Sequence, residues 1–285
     1  MADRAALRAA LAGVRGFVLD ADGVIFLRGE PIPGAPEALA TLAARRIPVR
    51  VVTNYSSAHR TTLAAGLGRP GFEPDPERII TAASAAARYT GRRFAGQPLF
   101  VIANPDARRE FEGQRLVSAD EAAEPGARVA AVVIGDGGDA LSYRNLDTAF
   151  RLIRGGAAFM AMHRNPWWLT KRGPTLDAGA FVAGLEFALG RPATLLGKPS
   201  PVVFRQALAA LAADLGVRRL APSQAAMVGD DPVADVAAAQ RVGLRGILVL
   251  SGKVGPEDVA TLPTRRRRAP DAIAASLAEV VAALD

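Results

Sequence analysis

Near its start the chain reads Val14-Arg15-Gly16-Phe17-Val18-Leu19-Asp20-Ala21-Asp22-Gly23-Val24. The short apolar run predicts a buried strand, and Gly23 favours a turn directly after it. Side chains two positions apart in extended backbone point to the same side, so Asp20 and Asp22 converge just past the carboxyl end of that strand. Ligands bind at this end of the strands in open α/β sheets. Two carboxylates this close repel each other unless a cation or a shared proton lies between them.

This motif alone leaves two interpretations open. One is a Mg²⁺ site whose first carboxylate attacks a phosphorus atom, and the other is a strand that simply ends in an Asp-Gly turn. The rest of the chain has to distinguish them.

The length and amino-acid composition exclude several classes of protein for this chain. The chain has 285 residues, of which 50% are hydrophobic, so it can form one large domain or two small ones with a sizeable core. It contains no cysteine, which excludes disulfides, thiol catalysis and thiolate zinc sites. Because it lacks both a long uncharged apolar run and an N-terminal apolar segment of secretory length, we expect a cytoplasmic protein with no membrane partner.

The formal net charge is +7, from 35 basic and 28 acidic residues. Such a balance suits nucleic acid or small anionic substrates. The densest basic run, Arg265–Arg268, lies in a predicted loop between two prolines, which is typical of a solvated surface. We therefore expect no nucleic-acid partner.

Strands and helices alternate along most of the chain. Helices are predicted over 35–46 and 58–67 with a strand over 49–52 between them, and this alternation is typical of a doubly wound parallel sheet. Segment 81–181 shows the same alternation of strands and helices by itself. Buried strands resume from residue 193, and a last amphipathic helix is predicted over 270–284. We predict an α/β fold with a core formed by 1–80 and 182–285 and an inserted α/β domain at 81–181.

Polar side chains follow four of the predicted core strands. These pairs are Asp20/Asp22, Thr53/Asn54, Asp230/Asp231 and Ser251/Lys253, and Lys198 lies on a loop beside them. The carboxyl ends of parallel strands share one edge of a sheet, so these groups are expected to gather there.

The clustered residue types match the needs of phosphate-ester hydrolysis. Such an enzyme without a Ser, Cys or His nucleophile needs an attacking carboxylate and a proton donor for the leaving oxygen. We assign attack to Asp20. Asp22 protonates the leaving oxygen and then takes a proton from the water that hydrolyses the aspartyl-phosphate.

The transferred phosphoryl group needs fixed donors and a counter-charge. Thr53 and Asn54 are predicted to donate hydrogen bonds to its oxygens, and Lys198 to neutralise phosphate and nucleophile. Mg²⁺ would offset the repulsion between carboxylate and phosphate. Asp20, Asp230 and the backbone carbonyl of Asp22 are its predicted ligands, with Asp231 and Asp235 as partners behind them.

These segments carry a family resemblance. The four motifs Leu19-Asp20-Ala21-Asp22-Gly23-Val24, Thr53-Asn54-Tyr55-Ser56, Gly197-Lys198-Pro199 and Gly229-Asp230-Asp231-Pro232-Val233-Ala234-Asp235 resemble, in order, those of the haloacid dehalogenase superfamily. The long insertion after the second motif resembles the NagD-type branch, and segments 142–152 and 179–186 are similar to the phosphatases related to phospholysine phosphohistidine inorganic pyrophosphate phosphatase. The resemblance implies a Rossmann-like core, a cap that closes over it, Mg²⁺ and a small phosphorylated substrate. A homodimer through the cap is a further expectation at family level.

Several residues of the inserted segment allow more than one role. Asn165 either contacts substrate or forms a turn before Pro166. Trp167 and Trp168 either stack on a substrate ring or serve packing or dimer contacts. His163 is interpreted as structural, because the core already contains an acid/base.

Two alternatives use the same sequence differently. A phosphotransferase or inorganic pyrophosphatase would share the first half-reaction. A non-catalytic nucleic-acid-binding module would use the basic surface, but a groove for a phosphate backbone disfavours so many acidic residues.

Overall fold

The structure, a computed structural model, describes residues 4–68, 73–170, 173–261 and 269–285. The run Arg265–Arg268 lies outside these described residues, so its interpretation as a solvated loop stays a prediction. Across the described ranges, no helix has both the length and the apolar character needed to cross a bilayer.

The strands follow one another along the whole chain. They are β1 (Gly16–Leu19), β2 (Phe26–Leu27), β3 (Glu30–Pro31), β4 (Val49–Thr53), β5 (Ile79–Thr81), β6 (Leu99–Ile102), β7 (Ala131–Ile134), β8 (Ala158–Ala161), β9 (Trp167–Thr170), β10 (Gly173–Leu176), β11 (Thr194–Leu195), β12 (Ala225–Gly229), β13 (Arg245–Val249) and β14 (Ala272–Ala274).

The helices alternate with these strands. They are α1 (Arg4–Leu11), α2 (Ala35–Ala44), α3 (Arg60–Leu67), α4 (Ala82–Arg93), α5 (Pro105–Arg108), α6 (Ala119–Ala123), α7 (Tyr143–Arg154), α8 (Ala178–Leu189), α9 (Pro201–Asp214), α10 (Ala238–Arg241) and α11 (Leu277–Ala282). A π-helical turn, Pro232–Ala237, leads directly into α10.

The chain forms two compact units, and the first comprises 1–53, 64–80 and 198–285. Its sheet has the strand order β14-β13-β12-β1-β4-β5. β1 pairs in parallel with β12 and with β4, β12 with β13, and β13 with β14. Every residue of β1 is buried, as expected for a central strand covered on both faces.

Two layers of helices account for that burial. On one face, side chains of α1, α2 and α11 pack with Phe17 and Leu19 in one apolar cluster. On the other face, α9 packs against β1 and β4. Leu211 of α9 lies so near Gly16 that an added Cβ there would be 3.2 Å from its Cδ2 atom. The doubly wound α/β class predicted from the sequence is confirmed.

The second unit comprises 54–63 and 81–197. Its sheet has the strand order β11-β8-β7-β6, and β9 and β10 form a separate antiparallel hairpin. The apolar core includes residues of β6, β7, β8, α7 and α8. This is the inserted α/β segment anticipated from the sequence.

The second unit runs further along the chain than residue 181. Val182 and Leu185 of α8 are buried in its core, and β11 pairs in parallel with β8 through Thr194 and Met160. The second compact unit therefore extends to Gly197, and the predicted domain boundaries stay a prediction. The assignment of the two units as catalytic core and cap stays a prediction.

The final helix is shorter than predicted. The pattern over 270–284 favoured one amphipathic helix, but β14 forms within it and α11 begins only at Leu277. Pairing of Ile273 with Leu248 of β13 extends the sheet by one strand, and this tertiary contact outweighs the helix propensity of an alanine-rich segment.

Candidate active site

Asp20 lies directly after β1, at the carboxyl end of the central strand. Its backbone N–H donates to the carbonyl oxygen of Val228 at 3.0 Å, which continues the ladder between β1 and β12. Its side-chain Oδ1 accepts a hydrogen bond from the backbone N–H of Ala21 at 2.7 Å. The Asp20 carboxylate is therefore held by a backbone N–H at the end of the strand, and the residue is 8% exposed.

Lys198 joins two buried carboxylates. Its Nζ lies 2.7 Å from Oδ1 of Asp20 and 2.7 Å from Oδ1 of Asp235. Burial by itself lowers the pKa of Lys198, but the two carboxylates outweigh burial and raise that pKa, so the ammonium stays charged. The structure thus places a permanent positive charge against the predicted nucleophile.

Asp20, Asp230 and Asp235 form a buried cluster in which one oxygen from each lies within 4.8 Å of the others. Burial is the main cause that raises the pKa of Asp230 to about 6 and that of Asp235 to about 7. Burial also raises the pKa of Asp20, against the opposing effect of Lys198. Lys198 pairs with two of these three carboxylates, Asp20 and Asp235, so a further cation would relieve their mutual repulsion.

This donor set fits Mg²⁺. Hard carboxylate oxygens are the ligands that Mg²⁺ prefers, and a close group of them at a strand edge matches its usual sites. Asp20 and Asp230, both predicted ligands, lie together here. Asp235, predicted as a partner behind the ligands, is a full member of the cluster.

Asp231 has a different position from its neighbour in sequence. Its Oδ1 accepts from the backbone N–H groups of Val233 and Ala234 at 2.8 and 3.0 Å, so it caps the π-helical turn. Its backbone N–H donates to Oδ2 of Asp235 at 3.2 Å. The turn thereby fixes Asp235, and Asp231 supports the cluster without joining it.

The loop after β13 supports the site in a way that our sequence-based site assignment missed. Ser251 Oγ donates to the carbonyl oxygen of Gly23 at 2.6 Å, and the backbone N–H of Lys253 donates to Oδ2 of Asp230 at 2.7 Å. Lys253 Nζ also lies 2.6 Å from Oδ2 of Asp231. The polar end of this strand was visible in the sequence, but its role as a support was not.

Two glycines allow these loops to meet. Gly23 has a φ of +74°, and a Cβ there would collide with the Asp230 carboxylate. A Cβ on Gly252 would collide with the same carboxylate and would lie 2.5 Å from Cα of Gly23. Both positions therefore need glycine for the close approach itself.

The remaining predicted residues of the first unit are Asp22 and Thr53. The Asp22 side chain is exposed and is not part of the carboxylate cluster, although desolvation still raises its pKa while Lys198 acts to lower it. Thr53 is buried at the end of β4, which pairs with β1 in parallel. Thr53 therefore lies at the same edge of the sheet as Asp20.

Asn54 and Asn165 belong to the second unit. Asn54 is half-buried, and its Oδ1 would lie 2.7 Å from a Cβ added to Gly197. Asn165 is half-buried after β8, and its backbone N–H donates to Nδ1 of His163 at 3.3 Å. Trp167 and Trp168 are 58% and 41% exposed. The predicted substrate contact of Asn165 stays a prediction.

Comparison with known proteins agrees with this chemistry. The family model described as haloacid dehalogenase-like hydrolase matches residues 17–116, and a second, HAD-hydrolase-like model matches residues 195–280. Phospholysine phosphohistidine inorganic pyrophosphate phosphatase of Homo sapiens is 33% identical over 254 residues, 87% of each chain. Haloacid dehalogenase-like hydrolase domain-containing protein 2 of Bos taurus is 33% identical over 258 residues, 90% of each chain.

Solved structures show the same architecture. The p-nitrophenyl phosphatase from Archaeoglobus fulgidus has a TM-score of 0.82 at 27% identity, over 95% of this chain and 99% of that one. NagD from E. coli K-12 has a TM-score of 0.77 at 27% identity, over 93% and 98%.

Together, the fold, the carboxylate cluster and the relatives define a hydrolase of the phosphatase class. The chain belongs to the haloacid dehalogenase-like hydrolase family, and the predicted resemblance to its NagD-type branch is confirmed. The comparisons do not favour the phosphotransferase or nucleic-acid-binding alternatives.

Proposed function

We propose that this protein is a Mg²⁺-dependent phosphatase that hydrolyses a small phosphomonoester through an aspartyl-phosphate on Asp20. The observation that carries the proposal is the buried cluster of Asp20, Asp230 and Asp235, in which Lys198 pairs with the first and the last. A carboxylate nucleophile beside a fixed positive charge is suited to attack on an anionic ester.

The first half-reaction transfers the phosphoryl group to Asp20. Its Oδ1 already accepts from Ala21 and pairs with Lys198, so we assign the attack on phosphorus to Oδ2. The bond between phosphorus and the ester oxygen breaks as the new bond forms, and Asp22 donates a proton to the departing oxygen. The raised pKa of Asp22 favours the protonated acid that this step requires.

The second half-reaction restores the enzyme. Asp22, now a carboxylate, takes a proton from water as that water attacks phosphorus, and Asp20 leaves as a free carboxylate. Thr53 and Asn54 donate hydrogen bonds to the phosphoryl oxygens in both steps, as the sequence predicts. Lys198 neutralises the negative charge on phosphate and nucleophile.

Asp20, Asp230 and the backbone carbonyl of Asp22 are the ligands we propose for Mg²⁺. Asp235, which lies in the same cluster, is available as a further oxygen donor or as the partner that fixes Lys198. The bound ion would supply positive charge that lowers the repulsion between nucleophile and substrate. We also propose that the second unit is the cap.

The test is phosphate release from a panel of phosphomonoesters that includes p-nitrophenyl phosphate, with and without Mg²⁺. We expect Mg²⁺-dependent release by the wild type and none by Asp20→Asn. The matched control is Asp120→Asn, which removes an exposed carboxylate paired with Arg144 and should stay fully active. Equal release by wild type and Asp20→Asn would refute the proposal.

A further inference from the structure

The loop that follows β4 belongs to the second unit. Residues 54–63 cluster with that unit although Thr53, one residue earlier, belongs to the first. The backbone N–H of His59 donates to Oδ2 of Asp106 at 2.9 Å, and that of Arg60 donates to Oε1 of Glu110 at 2.8 Å. The segment that directly continues the predicted phosphate-binding Thr53 is therefore held by side chains of the second unit.

Ser56 and His163 form the most deeply buried of these contacts. Ser56 Oγ lies 2.7 Å from Nε2 of His163, and the two residues are 3% and 2% exposed. The same Oγ accepts a hydrogen bond from the backbone N–H of Asp136 at 3.1 Å. Ser56 is thus tied to the chain after β7 and to the chain after β8.

The protonation of His163 follows from its neighbours. Nδ1 faces the backbone N–H of Asn165, which can only donate, so Nδ1 accepts and Nε2 carries the proton of the neutral ring. Nε2–H then donates to Ser56 Oγ. Burial lowers the pKa of His163 and favours this neutral form, while Asp177 and Asp136 act in the opposite direction.

The arrangement is not that of a serine-nucleophile triad. In such a triad the acid orients the imidazole through the nitrogen that does not face serine. Here Oδ1 of Asp177 lies 3.6 Å from Nε2, the nitrogen that already faces Ser56. That carboxylate oxygen also accepts from the backbone N–H of Ala178 at the start of α8. The cluster is therefore suited to hold the loop and not to attack a substrate.

The same part of the second unit also holds the residue before Lys198. The backbone N–H of Gly197 donates to the carbonyl oxygen of Met162, the neighbour of His163, at 2.8 Å. A Cβ on Gly197 would lie 2.5 Å from that carbonyl oxygen and 2.7 Å from Asn54 Oδ1. The chain segments that lead to Thr53 and to Lys198 thus meet at residues 162–163.

We propose that His163 is a positioning residue that fixes, through Ser56, the loop of residues 54–56 and with it Asn54. This role rests on the proposed function, because it matters only if Thr53 and Asn54 bind the phosphoryl group. His163 acts through other residues and touches no reacting atom.

The test compares Ser56→Ala, His163→Leu and the double variant in p-nitrophenyl phosphate hydrolysis with saturating Mg²⁺. Each single variant should lose about tenfold in kcat/KM, mainly through a higher KM, because the donors to phosphate are displaced. The kcat/KM of the double variant should be no lower than that of the less active single variant, because both changes break the same hydrogen bond. His163→Gln, whose amide nitrogen can replace Nε2, should recover most of the activity.

The matched control is Thr90→Val, which removes another buried hydroxyl of the second unit, one that bonds Ala86 and Gln114. It should lower thermal stability and leave kcat/KM unchanged. If the wild type hydrolyses the substrate and both Ser56→Ala and His163→Leu are as active as Thr90→Val, the positioning role of His163 is overturned and the proposed function is not. Failure of His163→Gln to exceed His163→Leu would also overturn it. No Mg²⁺-dependent hydrolysis by the wild type would overturn the proposed function and this inference together.

Discussion

Lys198 Nζ lies 2.7 Å from Oδ1 of Asp20, and both side chains are almost fully removed from solvent. In this low-dielectric setting the ammonium and carboxylate interact strongly, and loss of Lys198 leaves the Asp20 carboxylate buried without this charge partner. The pair therefore links the predicted nucleophile to the electrostatics of the whole carboxylate cluster.

Replacement of Lys198 should have a large catalytic cost. We expect Lys198→Met to lower kcat/KM by about 10²–10³-fold, because it removes a fixed charge that stabilises the phosphoryl group in the transition state. The control is Lys253→Met, which replaces a side chain that is 65% exposed and removes its ammonium, the partner of Asp231. Steady-state hydrolysis of p-nitrophenyl phosphate measures both, and equal activities for the two variants would contradict the assigned role of Lys198.

Substitution of Gly252 tests whether the loop after β13 holds the proposed metal site in place. A Cβ there meets the Asp230 carboxylate and Gly23, so Gly252→Ala must displace one of the two loops. We expect the Mg²⁺ concentration for half-maximal activity to rise by about tenfold.

Gly184→Ala is the matched control, because a Cβ at this position in α8 has no neighbour within 4 Å. Titration of activity with Mg²⁺ should leave this variant unchanged. An unchanged Mg²⁺ requirement in Gly252→Ala would show that the loop after β13 does not hold the site.

Asp230 predicts a pH dependence of stability in metal-free protein. Its pKa rises from 3.8 to about 6, chiefly through burial, so the folded state disfavours the ionised form. The stability that Asp230 contributes is complete below pH 3.8 and is lost as the pH rises through about 6. Relative to the wild type, Asp230→Asn should therefore become more stable as the pH increases.

Thermal unfolding in EDTA at pH 4 and pH 7.5 measures this difference. We expect the Tm of Asp230→Asn minus that of the wild type to be larger at the higher pH. Added Mg²⁺ should raise the Tm of the wild type at pH 7.5 and leave Asp230→Asn unchanged. A Tm difference that does not vary with pH would contradict the raised pKa of Asp230.

Much of the fold was predictable because its strands correspond to apolar segments of the sequence that are followed by polar residues. The runs before Asp20 and Asp230 become adjacent parallel strands, as expected from the α/β grammar. The end of the second unit was not predictable in this way, because β11 looks like any short buried strand. Only its pairing with β8 shows which sheet it joins.

In the site, too, local sequence predicts some of the residues, and tertiary contacts determine the others. Asp20 and Asp230 could be predicted as partners because each ends a strand. The place of Asp235 in the cluster depends on the π-helical turn Pro232–Ala237, and no residue type in the sequence signals that turn. The support from Ser251 depends on a contact with a loop 228 residues away in sequence.

An aspartyl-phosphate on Asp20 is the intermediate that the proposed reaction requires, and the most direct measurement is to trap it in Asp22→Asn. This variant lacks the base for the second half-reaction, while p-nitrophenolate leaves readily without a proton donor. With Mg²⁺ and p-nitrophenyl phosphate, we predict a burst of one p-nitrophenol per active site. The peptide that contains Asp20 should then carry the added mass of one phosphoryl group. Absence of that mass from Asp22→Asn, or its presence in the double variant Asp20→Asn/Asp22→Asn, would contradict the account.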